Sequence, residues 1–169
     1  MLSKKNPPHA RNLRIGRFSE SGRVYFITKC MNRSIGISLA DKPISTLICE
    51  AILHRKRTEV WHLLSFVLMP DHLHLLIALG EKESLSKAVA SFSQITSSKI
   101  NALMNREGSV WQHGFYEHYV RKSVEKCPAL MEYIHQNPVR KGLCDFPEQW
   151  SWSTANTKYA LEVEIEWFW

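Results

Sequence analysis

The hydrophobic pattern predicts a single α+β domain, an antiparallel sheet with helices packed on it. Three observations carry this. Strand-like and helix-like periodicities follow one another as β-α-β-β-α-β-α. The chain has 169 residues, the length of one domain. No internal repeat or low-complexity segment divides it. That order matches a ferredoxin-like unit with one added helix, and the fold by itself assigns no function.

Taking the elements in turn, residues 1–20 contain Pro7, Pro8, Lys4, Lys5, Arg11, Arg14 and Arg17 and read as a basic arm. Residues 21–160 form the domain and 161–169 a tail. "GRVYFITKCM" (22–31) is rich in β-branched and aromatic residues and predicts the first strand. In the following segment Ile44, Leu47, Ile48, Ala51 and Ile52 recur at helical spacing, with Asp41 and Pro43 where a helix begins. "VWHLLSFVLM" (60–69) predicts a buried strand, Pro70-Asp71 a turn, and "HLHLLIAL" (72–79) the next strand. A helix is expected over about 84–105, with Leu85, Val89, Phe92, Ile95 and Leu103 on its apolar side. "GFYEHYVRKS" (114–123) predicts a fourth strand. "CPALMEYIHQNP" (127–138) predicts a short helix that Pro138 should end, because the residue before proline avoids helical dihedrals. "QWSWSTANTKY" and the closing "EIEWFW" give no clear assignment.

The net charge is +6, which favours a polyanionic partner. Cys30, Cys49, Cys127 and Cys144 are widely spaced with no C-x-x-C pair, arguing against a zinc knuckle or a disulfide framework. The first residues lack the apolar core of a signal peptide, and no run approaches the ~18 apolar residues of a membrane helix. The expectation is a cytoplasmic protein with reduced thiols.

The feature that demands explanation is "MPDHLHLLI". On a strand, Leu73, Leu75, Ile77 and Leu79 share one face, and His72, His74, Leu76 and Ala78 the other. Two imidazoles on one face, roughly 7 Å apart at their base, can converge on a divalent ion. An isolated H-x-H pair fits metal ligands and ordinary packed histidines equally well. An amidohydrolase, which also carries H-x-H on a strand, needs a barrel of roughly 250 residues. A zinc nucleobase deaminase needs H-x-E and P-C-x-x-C, and neither is present. Metal-assisted chemistry on phosphodiesters remains for a small basic protein.

Such chemistry needs a nucleophile, either a metal-activated water or a side chain. Tyr133 lies on the short predicted helix and Asn137 follows four residues later. If the helix persists, the two project from one face, with Asn137 offering an amide oxygen and Tyr133 a phenolic oxygen. The alternatives are a core tyrosine and a helix-ending asparagine.

"MPDHLHLLI", "VWQHGFYEHYVRKS", "MEYIHQNPVRKGL" and "WSWSTA", in this order, resemble the REP-associated branch of the single-tyrosine HUH transposases, from about Gly22 to Tyr159. HUH denotes His, a hydrophobic residue and His, and Leu73 fills the middle place. The resemblance implies a metal-dependent single-stranded DNA nickase and strand transferase on a ferredoxin-like fold. His72 and His74 match the metal-ligand positions, Asn137 the polar third ligand, and Tyr133 the nucleophile that forms a 5′-phosphotyrosine. Mg²⁺ or Mn²⁺ suits such a nitrogen-and-oxygen site. The implied partners are single-stranded DNA and DNA hairpins of repetitive palindromic elements, with no membrane. The implied location is the bacterial cytoplasm, at the nucleoid when bound to DNA. The resemblance leaves monomer and homodimer both open.

Arg121 and Lys122 leave the fourth strand, and Arg140 and Lys141 follow the tyrosine's helix. With Arg11, Arg14 and Arg17 of the arm, they are the candidate phosphate contacts. Trp111, Phe115, Trp150 and Trp152 could stack on unpaired bases, but most should be core. Two other readings compete with the nickase: a non-catalytic hairpin-binding protein, and a metal phosphodiesterase that uses water.

Overall fold

The computed structural model describes residues 19–121 and 126–168. Arg11, Arg14, Arg17 and Lys122 lie outside them, as does nearly all of the expected arm. The succession is β1 (Val24–Cys30), α1 (Ile44–Arg57), β2 (Trp61–Leu68), β3 (His72–Leu79), α2 (Leu85–Met104), β4 (Tyr116–Val120) and α3 (Lys126–His135), followed by short helices α4 (Asn137–Arg140) and α5 (Thr157–Ala160). The strands form one sheet in the order β2-β3-β1-β4, and every neighbouring pair is antiparallel. The two longest strands therefore flank the two-residue turn at Pro70-Asp71, and β3 sits inside the sheet.

The alternation read from β3 divides the sheet into two faces. Leu73, Leu75, Ile77 and Leu79 join Tyr25 and Ile27 of β1 in the larger core, which α1 and α2 close with Ile44, Ile48, Ile52, Leu85, Val89 and Phe92. Leu76 and Ala78 point the other way. They meet Val24, Leu64, Val67, Val120 and α3's Cys127 and Ile134 in a smaller core. A bulge at Leu63/Ser65 breaks the β2–β3 register. It turns two consecutive residues, Leu64 and Ser65, toward the α3 face, where strict alternation would have kept Ser65 with Leu63.

Gly80 ends β3 against the turn before β2. Its amide bonds the Val60 carbonyl at 3.0 Å, and a Cβ there would lie 2.1 Å from the Glu59 carbonyl oxygen. Only glycine fits so close a backbone approach.

The region left unassigned in the sequence closes the outer edge of β2. The Leu68 amide donates to Trp152 O at 2.8 Å and the Thr154 amide to Phe66 O at 3.0 Å, with the Glu164 amide on Leu63 O farther along. This satisfies an edge that would otherwise present unpaired donors and acceptors. Trp152 and Tyr159 bury their rings in the larger core.

Two expectations need correction. Ile95 and Leu103 of α2 are 42% and 47% exposed, and Ala88, Thr96 and Ile100 take the inner positions instead. The buried set 85, 88, 89, 92, 96 and 100 follows one helical stripe. Ile95 is rotated from it by about a quarter turn, whereas Leu103 falls on the stripe but in the last turn, past Ile100, its last buried residue. Pro138 also does not end the helical path. α3 stops at His135, and the chain resumes as α4, with proline in its first turn, where its missing N–H leaves no helical bond unmade.

Candidate active site

The site grows from the face of β3 that α3 only partly covers. The β1–β3 register sets Thr28 opposite His74 and Cys30 opposite His72. Thr28 Oγ1 lies 2.8 Å from His74 Nδ1, and Asp71 Oδ1 lies 2.7 Å from His72 Nδ1. Each imidazole thus has its Nδ1 engaged, which fixes the ring and leaves Nε2 as the lone-pair donor. The two ring centroids are 4.6 Å apart. Phe26 stacks on His74 at 5.2 Å and walls the site on the β1 side.

His74 is 7% exposed. Burial, reinforced by the neighbouring His72, pushes its pKa down to about 4. It is therefore neutral at physiological pH, the form that binds a metal. Burial alone would raise Asp71, but its hydrogen bond to His72 and the positive charge of His72, with Lys141 adding a smaller pull, hold the carboxyl below the usual range.

α3 lies over β2 and β3 on an apolar stripe of Cys127, Leu130, Met131 and Ile134, the i, i+3, i+4, i+7 spacing of a helix face. Tyr133 stands on the flank of this stripe, 41% exposed. Its ring is 6.1 Å from the His74 ring and 6.0 Å, edge-on, from Phe26. The Arg140 guanidinium sits 4.8 Å over the Tyr133 ring. Asn137 is buried at the α3–α4 junction, and its Nδ2 donates to Tyr133 O at 2.9 Å. That commits the amide nitrogen and leaves Oδ1 as the group available to a cation.

Among the described residues, no three His, Cys, Asp or Glu side chains cluster to hold a metal. Two imidazoles with one amide oxygen nevertheless make a coherent partial donor set. It is mixed in nitrogen and oxygen and leaves positions for water or phosphate oxygens.

Of the residues singled out in the sequence, the fold brings His72, His74, Tyr133 and Arg140 to one patch. Asn137 is joined to that patch through the Tyr133 carbonyl, and Lys141 through its charge on Asp71. Arg121 stands exposed at the end of β4. Trp111 and Trp152 are core, and Phe115 and Trp150 are half-buried. The sequence reading missed Thr28, Phe26 and the role of Asp71. Asp71 was visible as the residue before His72. Thr28 and Phe26 needed the cross-strand register.

The family model described as transposase IS200 like matches residues 24–137, which include the whole sheet, both histidines and Tyr133. The chain belongs to this family. An Escherichia coli K12 protein named REP-associated tyrosine transposase is 27% identical over 124 residues, covering 72% of this chain and 71% of that protein. A Haemophilus influenzae protein whose name provisionally marks it as a REP-associated tyrosine transposase is 27% identical over 115 residues, covering 59% of this chain. The match spans 61% of that relative's length. The solved structure of a REP-associated tyrosine transposase bound to a REP hairpin superposes with a TM-score of 0.68 at 23% identity, covering 82% of this chain and 79% of that one. That likeness shows the shared fold. Membership in the IS200-like family implies metal-dependent catalysis, which the donor set on β3 fits. No described helix is long and apolar enough to cross a membrane.

Proposed function

We propose that this IS200-like family member is a metal-dependent endonuclease and strand transferase for single-stranded DNA. It acts on DNA hairpins of repetitive palindromic elements, with Tyr133 as nucleophile. The observation that carries the reading is the approach of Tyr133 on α3 to the His72–His74 pair on β3, two elements distant in sequence, on one face of one sheet. The names of the two curated relatives support the choice of substrate.

In this reading His72, His74 and Asn137 would hold Mg²⁺ or Mn²⁺, and a cation bound there would withdraw charge from the scissile phosphate. Asp71 and Thr28 keep the two imidazoles oriented. Arg140, over the Tyr133 ring, meets the phosphate's negative charge. Attack forms the Tyr133 Oη–phosphorus bond and breaks the bond from phosphorus to the 3′-oxygen. The phenol gives up its proton and the departing 3′-oxygen gains one. The product is a 5′-phosphotyrosine and a free 3′-hydroxyl. Because the ester bond is conserved in the adduct, a second 3′-hydroxyl can reverse the step and join strands, which a hydrolytic enzyme could not do. Arg121 and Lys141, with Arg11, Arg14, Arg17 and Lys122, are assigned to the DNA backbone.

The test uses a pool of labelled DNA hairpins with randomised single-stranded flanks, incubated with Mn²⁺ or Mg²⁺. A covalent protein–DNA adduct is expected, and Tyr133→Phe should lower it by at least about a thousandfold while leaving hairpin binding intact. Cleavage that survives Tyr133→Phe would instead identify a water-using phosphodiesterase. Salt-sensitive hairpin binding with no cleavage under either metal would identify a pure binding protein.

A further inference from the structure

The apolar stripe that seats α3 does not determine how the helix is rolled about its own axis. Hydrophobic contact is non-directional, and a helix of 10 residues has little rigidity of its own. Roll matters because Tyr133 sits on the flank of the stripe. A rotation of about 20° would move a group roughly 6 Å from the axis by about 2 Å, enough to spoil an in-line attack.

The opposite flank carries a directional contact. His135 Nε2 lies 3.1 Å from Ser65 Oγ and 2.9 Å from Thr154 Oγ1. Those hydroxyls are 3.0 Å from each other, and Ser65 and Thr154 are buried. The triangle is tied to backbone, since the Phe66 amide donates to Thr154 Oγ1 at 3.0 Å. Both partners are in place for specific reasons. The β2 bulge turns Ser65 toward α3, and the pairing of residues 152–154 with the β2 edge delivers Thr154. Along α3 the order is Tyr133, Ile134, His135, about 100° apart, so the buried Ile134 separates the tyrosine from the anchored histidine.

We propose that His135 is a positioning residue, which fixes the roll of α3 through Ser65 and Thr154 and so aims Tyr133 at the histidine pair of its own chain. The inference rests on Tyr133 being the nucleophile. His135 itself touches no reacting atom. Directional hydrogen bonds in a buried, closed network select one arrangement where apolar packing alone would tolerate several.

The test compares full-length wild type with His135→Ala, His135→Gln and Ser65→Ala, using the hairpin pool and Mn²⁺. For His135→Ala, adduct formation at saturating DNA should slow about 10–100-fold, while the hairpin dissociation constant stays within about twofold. His135→Gln, which keeps a hydrogen-bonding group, should recover much of the rate. Ser65→Ala should slow it too, and the Ser65→Ala/His135→Ala pair should be no slower than His135→Ala alone, as members of one network are. Amide hydrogen exchange supplies a readout independent of catalysis. Exchange should quicken across Lys126–His135 in His135→Ala and stay unchanged in β3. A wild-type adduct rate in His135→Ala, or parallel losses of binding and rate, would overturn the proposal. If wild type forms no adduct with any hairpin, the functional reading fails and exchange alone decides the positioning role: faster α3 exchange upholds it and unchanged exchange ends it. If His135→Ala does not fold, His135→Gln and Ser65→Ala carry the same comparison.

Discussion

The two faces of the sheet are built from the same four strands and do opposite work. On one face, every inward residue of β3 is aliphatic and two long helices seal it. On the other, β3 alternates from Leu76 and Ala78, which are core, to His72 and His74, which are not, and a single short helix covers part of the surface. The larger core lies on the first face and the proposed chemistry on the second. The polar groups of the second face are tolerated because each has a partner, Thr28 across the strand register for His74 and the preceding turn residue Asp71 for His72. The division shows how a strand can bear polar groups without weakening its sheet: the histidine parity is confined to the end of β3 that the flank of α3, with Tyr133, only partly covers.

Substitutions can break this division from either side. His74→Ala should reduce adduct formation to below about a thousandth of wild type with the fold retained by circular dichroism; near-wild-type cleavage would remove His74 from the site. Three residues along β3 and on the opposite parity, Ile77→Ala should cost about 2–5 kcal/mol of stability, read by urea denaturation. Its adduct rate per folded molecule should stay near wild type.

The pH dependence sharpens the comparison at intermediate strength. With the folded His74 at about 4 and an unfolded histidine near its ordinary value, both states are neutral above about pH 6.5. Between about 6.5 and 4 the unfolded chain takes up the proton and the fold does not, so stability falls as pH falls. Burial depresses His135 as well, which adds in the same direction. In chelator, the urea midpoint should be lower at pH 5 than at pH 7, and His74→Asn should flatten that slope. The smallest effect is expected at Arg57→Ala. Its exposed pair with Glu50 at 3.5 Å should be worth less than about 0.5 kcal/mol, and its loss should leave cleavage unchanged.

Much of this was legible in the sequence because alternation encodes faces directly. The parity of β3 separated His72 and His74 from Leu73 and Leu75, and the helical spacing of α1 marked its inner side. Tyr133 and Asn137 were legible as a pair four residues apart, although their helix turned out to be two short ones joined at the histidine–glutamine step. What was not legible depends on contacts between distant segments. Thr28 and Phe26 acquire roles only through strand register. Ser65 would have been placed on the wrong face, since the bulge that redirects it leaves no mark in the local pattern. Trp152 and Thr154 looked like part of an unassignable tail because an isolated bridge at Ser153 is too short to show periodicity. Ile95 and Leu103 misled in the other direction: Ile95 lies on an exposed flank and Leu103 in the last turn past the buried residues, and exposed apolar residues are common.

The closure of the β2 edge has a consequence for how the molecule comes into being. Ser65 and Thr154 are 89 residues apart, and synthesis proceeds from the N-terminus. The histidine pair and its strand are made well before Thr154, one of the two hydroxyl partners of His135. A nascent or truncated chain lacking the 152–154 segment would carry both imidazoles but not the full seat of the tyrosine's helix. In the proposed reading, the seat that aims the tyrosine's helix is therefore completed last, after the scaffold that it depends on.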